Sequence, residues 1–282
     1  EGADCVLQLG AMMTDFNTGG FSTDLGDAKT IRAGLHSVEI KHHEYRDVGL
    51  RDFIVALSAG LRRRDTGLLD IRPAAADGER QRSAYRPERD AALTVTRLFA
   101  RLSNFLEEDT IVLAETGLSL FSAAEMLMPK GATFIGQTFY GSIGYTIGAA
   151  LGAGIAAPSR RVVLLIGDGA FQMGGQELST LIRHGLNVVV CLLNNDGYTI
   201  ERVINNNTYN DLQPWKYHAL VDVFGGGLGL EARTEGTLER ALELVSAVGG
   251  VVLLEVHTDR LDCSPTLQSA GRAMALANGL DQ

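Results

Sequence analysis

Residues 161–197 read RVVLLIGDGAFQMGGQELSTLIRHGLNVVVCLLNNDG, two apolar runs separated by a segment with helical spacing. Uninterrupted runs of valine, leucine and isoleucine that alternate with helices are typical of parallel strands covered on both faces. The first run ends in GDG at 167–169, and the second ends in NNDG at 194–197. Each cluster alone is consistent with an ordinary turn, because Asn, Asp and Gly are common turn residues.

The same alternation continues on both sides of this unit. It predicts an α/β fold with a doubly wound parallel sheet over residues 89–282. The predicted helices are 92–106, a Gly/Ala-rich segment at 141–156, Phe171–His184 and Leu238–Val248, and the further strands are Thr110–Ala114 and 250–257.

The first part of the chain has a different organisation. Strand patterns at 5–9 and 35–40 and an amphipathic helix at 50–61 predict the latter part of a smaller, Rossmann-like α/β domain over residues 1–64. Residues 65–88 combine charges, Pro and Ala without a period, so we expect an exposed linker. Because a strand pattern begins almost at once and no initiator Met precedes it, we expect the chain to be a fragment.

Composition excludes several classes of function. A net charge of -9 argues against a nucleic-acid surface. Three cysteines without a C-x-x-C spacing favour a reduced, cytoplasmic protein. The longest segment of low polarity, 143–157, is shorter than the roughly 18 to 20 residues that a membrane span requires, so we expect no membrane segment.

The two polar clusters predict a metal site. Ligands of open parallel sheets bind at the carboxyl ends of the strands, where Asp168 and Asn195 would converge. A carboxylate, an amide oxygen and the carbonyl of a turn glycine, Gly197, are hard ligands that suit Mg²⁺ or Ca²⁺. The helix that follows Gly169 would direct free N–H groups at the same point, which favours an anion such as a diphosphate.

These residues resemble a known motif. GDG followed by NN, with 27 positions from Asp168 to Asn195, is similar to the binding motif for thiamin diphosphate (ThDP). The resemblance is to the ThDP-dependent 2-oxo acid decarboxylases that act on pyruvate, indolepyruvate or phenylpyruvate. It covers nearly the whole chain, through GAMMTDFNTGGFS (10–22), AETGLSLF (114–121), YGSIGYTIGAALGA (140–153), GDGAFQMGGQELSTLIRHG (167–185) and NNDGYTIE (194–201).

The resemblance implies a role for individual residues. Asp168, Asn195 and the Gly197 carbonyl would hold Mg²⁺, and Glu201, in an apolar pocket, would be the catalytic residue that assists proton transfers near the thiazolium. Ile143 would support the bent cofactor, the Gly141 carbonyl would receive the pyrimidine amino group, and Ile200 would line the substrate pocket. The cofactor-binding set implied in this way is Thr116, Gly141, Ile143, Asp168, Gly169, Ala170, Asn195, Gly197, Tyr198 and Ile200, with Gly169 and Ala170 offering backbone N–H groups to the diphosphate.

Other features have a plainer interpretation. Gly144, Gly148 and Gly152 recur every four residues and predict a helix face that allows close packing. The pair His42-His43 is similar to a catalytic pair of the family, but that pair belongs to another domain, so we expect these histidines at the surface. Without the resemblance, we would favour Glu201 as a surface residue paired with Arg202 or a nearby base. Leu120 stands where the family varies the size of the substrate pocket.

The resemblance also implies what this chain lacks. Nothing in it matches the N-terminal pyrimidine-binding domain that carries the essential glutamate of the family. We therefore expect the chain alone to be inactive and to need that domain from a second subunit, in a homodimer or homotetramer, with a small 2-oxo acid as substrate. Two alternatives stay open: another ThDP enzyme, such as a benzoylformate decarboxylase or a carboligase, and a non-catalytic ThDP-binding subunit. A dinucleotide enzyme is disfavoured, because no G-x-G-x-x-G follows a strand.

Overall fold

A computed structural model describes residues 3–14, 18, 21, 23–26, 29–62, 84–138 and 140–280. The chain divides into two compact units, residues 1–71 and 72–282. Most of the predicted linker, positions 65–83, lies outside the described residues, as do Arg63, Arg64 and parts of the 10–22 segment. The division into domains stays a prediction, although Tyr85, inside the predicted linker, is buried and not exposed.

The first unit contains a small mixed sheet. Strand β1 pairs in parallel with β2, whereas β3 and β4 add antiparallel hairpins in the order β1-β2-β3-β4. The elements are β1 (Val6–Leu9), β2 (Thr30–Ala33), β3 (Ser37–Ile40), β4 (His43–Arg46) and α1 (Leu50–Gly60).

The sequence analysis predicted β1, β3 and α1 but missed β2 and β4. Every residue of β4 is exposed, so this strand carries none of the apolar alternation that marks a half-buried strand. His43 begins β4, and His42 lies in the turn before it. Both histidines are exposed, which confirms the predicted surface position.

The second unit is built on six parallel strands in the order β6-β5-β7-β8-β10-β9. The predicted doubly wound parallel sheet is therefore confirmed. The strands are β5 (Ile111–Ala114), β6 (Thr133–Gly136), β7 (Val162–Gly167), β8 (Val188–Asn194), β9 (Leu228–Ala232) and β10 (Val251–His257). The helices are α2 (Val95–Phe105), α3 (Leu118–Ala123), α4 (Thr146–Ala156), α5 (Asp168–Gly174), α6 (Leu178–Arg183), α7 (Thr199–Ile204), α8 (Leu220–Val223), α9 (Glu235–Ala247) and α10 (Pro265–Ala277).

Successive residues of the central strands enter two separate cores, because side chains alternate across a strand. On one face, Val163 and Cys191 pack with α2, α3 and α9. On the other face, Leu164 and Val190 pack with α4 and with Phe171. All seven residues of β8 are buried, so neither face of this strand is left for solvent.

The predicted helix 171–184 is wrong in detail. It is divided into α5, a 3-10 turn at Gly175–Glu177, and α6. Gly174 has φ -147° and ψ 18°, which is not helical, and a Cβ on Gly175 would lie 2.7 Å from the Phe171 ring. Strands β6 and β9 and helix α3 were also missed. Both strands lie at sheet edges, where partial exposure interrupts the apolar pattern.

The predicted packing face of glycines is also wrong. Gly144 precedes α4, while Gly148 and Gly152 are exposed with nothing within 4 Å of an added Cβ among the described residues. The buried face of α4 carries Ile147, Ala150 and Gly154 instead.

No helix in the described ranges is both long and apolar enough to span a membrane.

This difference within α4 gives a test. Gly148→Ala and Gly152→Ala should each raise the free energy of unfolding by about 1 kcal/mol, the difference in helix propensity between the two residues. Gly154→Ala should stabilise the protein less than the other two substitutions or should destabilise it, because its Cβ would lie 3.1 Å from Leu186 Cδ1. Urea unfolding followed by circular dichroism measures all three. Equal destabilisation by Gly148→Ala and Gly154→Ala would show that the exposed face is assigned incorrectly.

Candidate functional site

Strands β7 and β8 are direct neighbours and end at the same edge of the sheet. Their parallel register places Gly167 opposite Leu193, so Asp168, the first residue of α5, and Asn194, the last residue of β8, lie together at this edge. The two strand ends that carry the predicted metal ligands are therefore next to each other in the sheet.

The Asp168 carboxylate joins the two strand ends. It is 1% exposed. Its Oδ1 accepts the N–H of Gly169 at 2.8 Å, and its Oδ2 accepts the N–H groups of Asn195 at 3.2 Å and Gly197 at 3.0 Å. Burial raises the pKa of Asp168 to about 6, and the three N–H donors oppose this rise. A cation beside this carboxylate would stabilise its ionised form.

Asn195 supplies an oxygen that has no protein partner. Its Oδ1 is buried and accepts no hydrogen bond among the described residues. An unsatisfied buried acceptor costs about 1 to 3 kcal/mol, so such an atom calls for a ligand. Together with the Asp168 carboxylate it provides two hard oxygens, which fit Mg²⁺ or Ca²⁺. The third predicted ligand, the Gly197 carbonyl, stays a prediction.

Gly197 is required by its surroundings. Its φ is +149°, and a Cβ would lie 2.1 Å from the Asn210 carbonyl oxygen. Gly169 is under a similar restriction, because a Cβ there would lie 2.3 Å from the Tyr198 ring. Both glycines of the motif therefore allow close approach between chain segments, Gly169 from within α5 and Gly197 from the loop after β8.

Arg202 holds the loop that carries Asn195. Its side chain is fully buried, and Nη1 donates to the carbonyls of Asn195 at 2.9 Å and Arg260 at 3.1 Å. Nη2 donates to the carbonyl of Asp196 at 2.6 Å and to Asp211 Oδ1 at 2.8 Å. The sequence analysis considered this arginine only as a partner for Glu201. Nothing in the sequence distinguishes it from an exposed arginine.

Glu115 is a second residue that the sequence analysis missed. It is completely buried at the end of β5. Its Oε1 accepts the Thr116 N–H at 2.9 Å, and its Oε2 accepts the Gly144 N–H at 3.1 Å and the Thr146 hydroxyl at 2.6 Å. It thereby fixes the segment that contains Gly141 and Ile143. The only signal in the sequence was its position directly after an apolar run.

One cleft collects most of the predicted residues. Its volume is about 520 Å³ including the open mouth, within the range of small-ligand sites. All the predicted cofactor residues line it except Gly141, and Glu201 lies at it too. The predicted residues in the cleft are Thr116, Ile143, Asp168, Gly169, Ala170, Asn195, Gly197, Tyr198, Ile200 and Glu201.

Some details differ from expectation. The N–H of Gly169, predicted to meet a diphosphate, is donated to Asp168 in this structure. The Thr116 hydroxyl donates to the Ser142 carbonyl at 3.2 Å. Leu120 is buried in the core and does not line the cleft, whereas Leu118 does.

Glu201 was expected in an apolar pocket, but it is exposed. It lies in the first turn of α7, at the mouth of the cleft, where solvent reaches it. The exposure of Glu201 agrees with the alternative of a surface residue. The pairing with Arg202 is wrong, because that guanidinium donates to backbone carbonyls and to Asp211.

Comparison with known proteins identifies the family. Residues 115–256, just over half of the chain, match the family model of the C-terminal TPP binding domain of thiamine pyrophosphate enzymes. The chain belongs to this family. Thiamine pyrophosphate is another name for ThDP, so the match agrees with the resemblance found in the sequence. The matched range begins at Glu115 and includes β7, β8 and the cleft residues between them.

Curated relatives of this thiamine pyrophosphate enzyme chain are named alpha-keto-acid decarboxylase. Those from Mycobacterium tuberculosis and Mycobacterium bovis are 37% identical over 280 residues, which is 98% of this chain and 49% of each relative. One from Mycobacterium ulcerans is 36% identical over 272 residues, 95% of this chain and 47% of the relative. The chain therefore spans about half the length of the curated relatives it matches.

The role of Arg202 in this family member is testable. Arg202→Met should lower the free energy of unfolding by at least about 2 kcal/mol, because buried carbonyls left without a donor cost about 1 to 3 kcal/mol each. Chemical unfolding without added metal measures the loss. Arg183→Met, at an exposed position of α6, is the matched control and should change little. Equal losses of unfolding free energy for the two substitutions would show that Arg202 does not hold the loop through these carbonyls.

Proposed function

We propose that this chain binds ThDP through Mg²⁺ in the cleft at the carboxyl ends of β7 and β8. The observation that supports this most directly is the buried Asn195 Oδ1, which has no hydrogen-bond partner among the residues that the structure describes and belongs to the same cleft as the buried Asp168 carboxylate. In this proposal Asp168, Asn195 and the Gly197 carbonyl hold the metal, and the metal holds the diphosphate. Gly169, Ala170 and Thr116 lie beside it in the same cleft.

The remaining cleft residues would place the organic part of the cofactor. Ile143 lines the cleft and would support the bent form of ThDP, while the Gly141 carbonyl would accept the pyrimidine amino group. Glu115 fixes this segment through the Gly144 N–H and the Thr146 hydroxyl. Tyr198 and Ile200 also line the cleft, and Ile200 Cγ2 lies 3.6 Å from the position that a Cβ on Gly117 would take.

We infer that the whole protein converts a 2-oxo acid to an aldehyde and CO₂. When bound, ThDP would supply the electron sink for the carbanion that decarboxylation leaves. Glu201 at the mouth would hold and return the proton, which is the usual work of a positioned carboxyl group. The names of the relatives support this reaction. Pyruvate, indolepyruvate and phenylpyruvate are the proposed substrate types.

We infer further that turnover needs a covering domain from a second subunit, in a homodimer or homotetramer. Glu201 is exposed in the single chain, and water at the mouth would weaken the electrostatic interactions on which proton transfer depends. The same exposure favours the second candidate, a chain that binds ThDP without turnover by itself. Another ThDP reaction, such as decarboxylation of benzoylformate or carboligation, is distinguished by its products.

Binding is tested by titration calorimetry with ThDP and Mg²⁺. We expect ThDP to bind only when Mg²⁺ is present and NAD not to bind. Asn195→Ala should abolish this binding yet change the free energy of unfolding without metal by less than about 1 kcal/mol, because the lost oxygen accepts no hydrogen bond from the described part of the chain. Asn206→Ala, at an exposed position, should bind as the parent does. NAD binding without a ThDP response would refute the proposal.

Turnover is tested in two forms of the protein. The 282-residue chain alone should produce no aldehyde from pyruvate, indolepyruvate or phenylpyruvate. A chimera in which it replaces the matched half of the Mycobacterium tuberculosis relative should produce aldehyde and CO₂. There Glu201→Gln should lower kcat about 10²- to 10⁴-fold, the usual contribution of a general acid or base.

The matched control in the chimera is Glu243→Gln, at an exposed position of α9, which should retain full activity. Turnover by the isolated chain would show that no covering domain is needed. Equal kcat for the Glu201 and Glu243 variants would remove Glu201 from the proposed mechanism.

A further inference from the structure

A second group of ionisable side chains lies at the carboxyl edge of the same sheet, away from the cleft. Glu231 of β9 and Glu255 of β10 are opposite each other in the parallel register, so two like charges face the same neighbourhood. His257 lies two positions after Glu255 and therefore on the same face of β10. His218, from the 3-10 turn Tyr217–Ala219, covers this face.

The side chains converge closely. His218 Nδ1 is 2.6 Å from Glu255 Oε2, and His257 Nε2 is 2.9 Å from Glu231 Oε1 and 3.3 Å from Glu255 Oε1. One ligand atom each of His218, Glu231 and Glu255 can be chosen within 4.8 Å of the others. Gly229 makes this possible, because a Cβ there would lie 2.0 Å from the His218 carbonyl oxygen and would displace the turn.

The charges around these residues are unbalanced. Glu255 is 1% exposed. Its Oε1 accepts the side-chain amide N–H of Asn194 at 2.6 Å, and its Oε2 accepts the backbone N–H of His218 at 3.0 Å, so both of these donors are neutral. Among the described residues, the arginine that contacts the pair is Arg233, whose Nη2 lies 2.8 Å from Glu231 Oε1. A buried carboxylate is stable when a cation compensates it. Protonated imidazole or a metal ion can provide that charge here.

We propose that His218, Glu231 and Glu255, with His257, form a binding site for a divalent transition metal ion of the Zn²⁺ class. Imidazole nitrogens combined with carboxylate oxygens suit Zn²⁺, Co²⁺ or Ni²⁺, whereas Mg²⁺ prefers oxygen alone. With metal–ligand bonds of about 2.0 to 2.2 Å, neighbouring ligands of a tetrahedral ion lie about 3.3 Å apart. The contacts at 2.6, 2.9 and 3.3 Å differ from this value by about 0.7 Å or less, whereas a pair at the 4.8 Å limit would have to close by about 1.5 Å.

The site has an open side and a fixed side. The side chains of His218, His257 and Glu231 are 32%, 20% and 36% exposed, so an ion can enter from solvent, while Glu255 anchors it in the fold. A bound ion would join the 3-10 turn to β9 and β10. The site does not depend on the proposed ThDP function, because none of its ligands lines the cleft.

The test uses Zn²⁺ and Co²⁺ on the metal-stripped 282-residue chain in excess Mg²⁺, so that the Asp168 site does not contribute. We expect about one Zn²⁺ per chain by calorimetry, and a Co²⁺ visible spectrum of nitrogen and oxygen ligands without thiolate charge-transfer bands. Glu231→Gln and His218→Asn should each weaken Zn²⁺ binding at least about 10-fold, because even outer-shell partners of metal sites contribute about 10- to 100-fold.

Three matched controls should bind Zn²⁺ as the parent does: His184→Asn and Glu243→Gln at exposed positions, and Cys5→Ser at an exposed thiol. Circular dichroism without metal shows whether each variant folds. If a ligand variant does not fold, the Co²⁺ spectrum of the parent decides. The proposal would be overturned if the parent did not bind Zn²⁺ or if the Co²⁺ spectrum showed thiolate bands. It would also be overturned if Glu231→Gln and His218→Asn bound Zn²⁺ as tightly as the parent. The four side chains would then form a hydrogen-bond network without a metal.

Discussion

The contact between the Asp168 carboxylate and the N–H groups of Asn195 and Gly197 brings the ends of β7 and β8 into one site. The carboxylate is buried, and its ionisation is opposed by that burial, so the fold keeps a charge at a position where it is unfavourable without a partner. Arg202 holds the facing loop by its carbonyls, and Glu115 holds the neighbouring segment by its N–H groups. The cleft is thus formed mainly by hydrogen bonds to backbone atoms.

This construction explains the glycines of the motif. Gly169 and Gly197 lie where a Cβ would overlap the Tyr198 ring or the Asn210 carbonyl. This close approach leaves the N–H groups of Asn195 and Gly197 within hydrogen-bond distance of the Asp168 carboxylate. A larger residue at either glycine would push the two segments apart. The loop positions are therefore limited by space as well as by backbone conformation.

The sequence predicted those parts of the fold that depend on uninterrupted apolar runs. Strands β7, β8 and β10, buried on both faces, carry a strong pattern, and so Asp168 and Asn195 could be located from sequence alone. The exposed β4 and the edge strands β6 and β9 carry a weak pattern and were missed. Arg202 and Glu115 were missed for another reason. Their burial depends on which loop covers them in the folded chain. The sequence does not distinguish a buried arginine or glutamate from an exposed one.

The order of the site residues along the chain has a consequence for folding. Asp168, Asn195 and Gly197 all belong to one continuous β-α-β unit, and the Asp168 carboxylate reaches the N–H groups of Asn195 and Gly197 only when β7 and β8 are paired. Any ion or cofactor held there binds the paired form alone and favours it by mass action, to a degree set by ligand concentration relative to Kd. A ligand in the cleft would therefore stabilise the pairing of the two central strands. The concentration of that ligand in the cell would then help to set how often this unit unfolds locally.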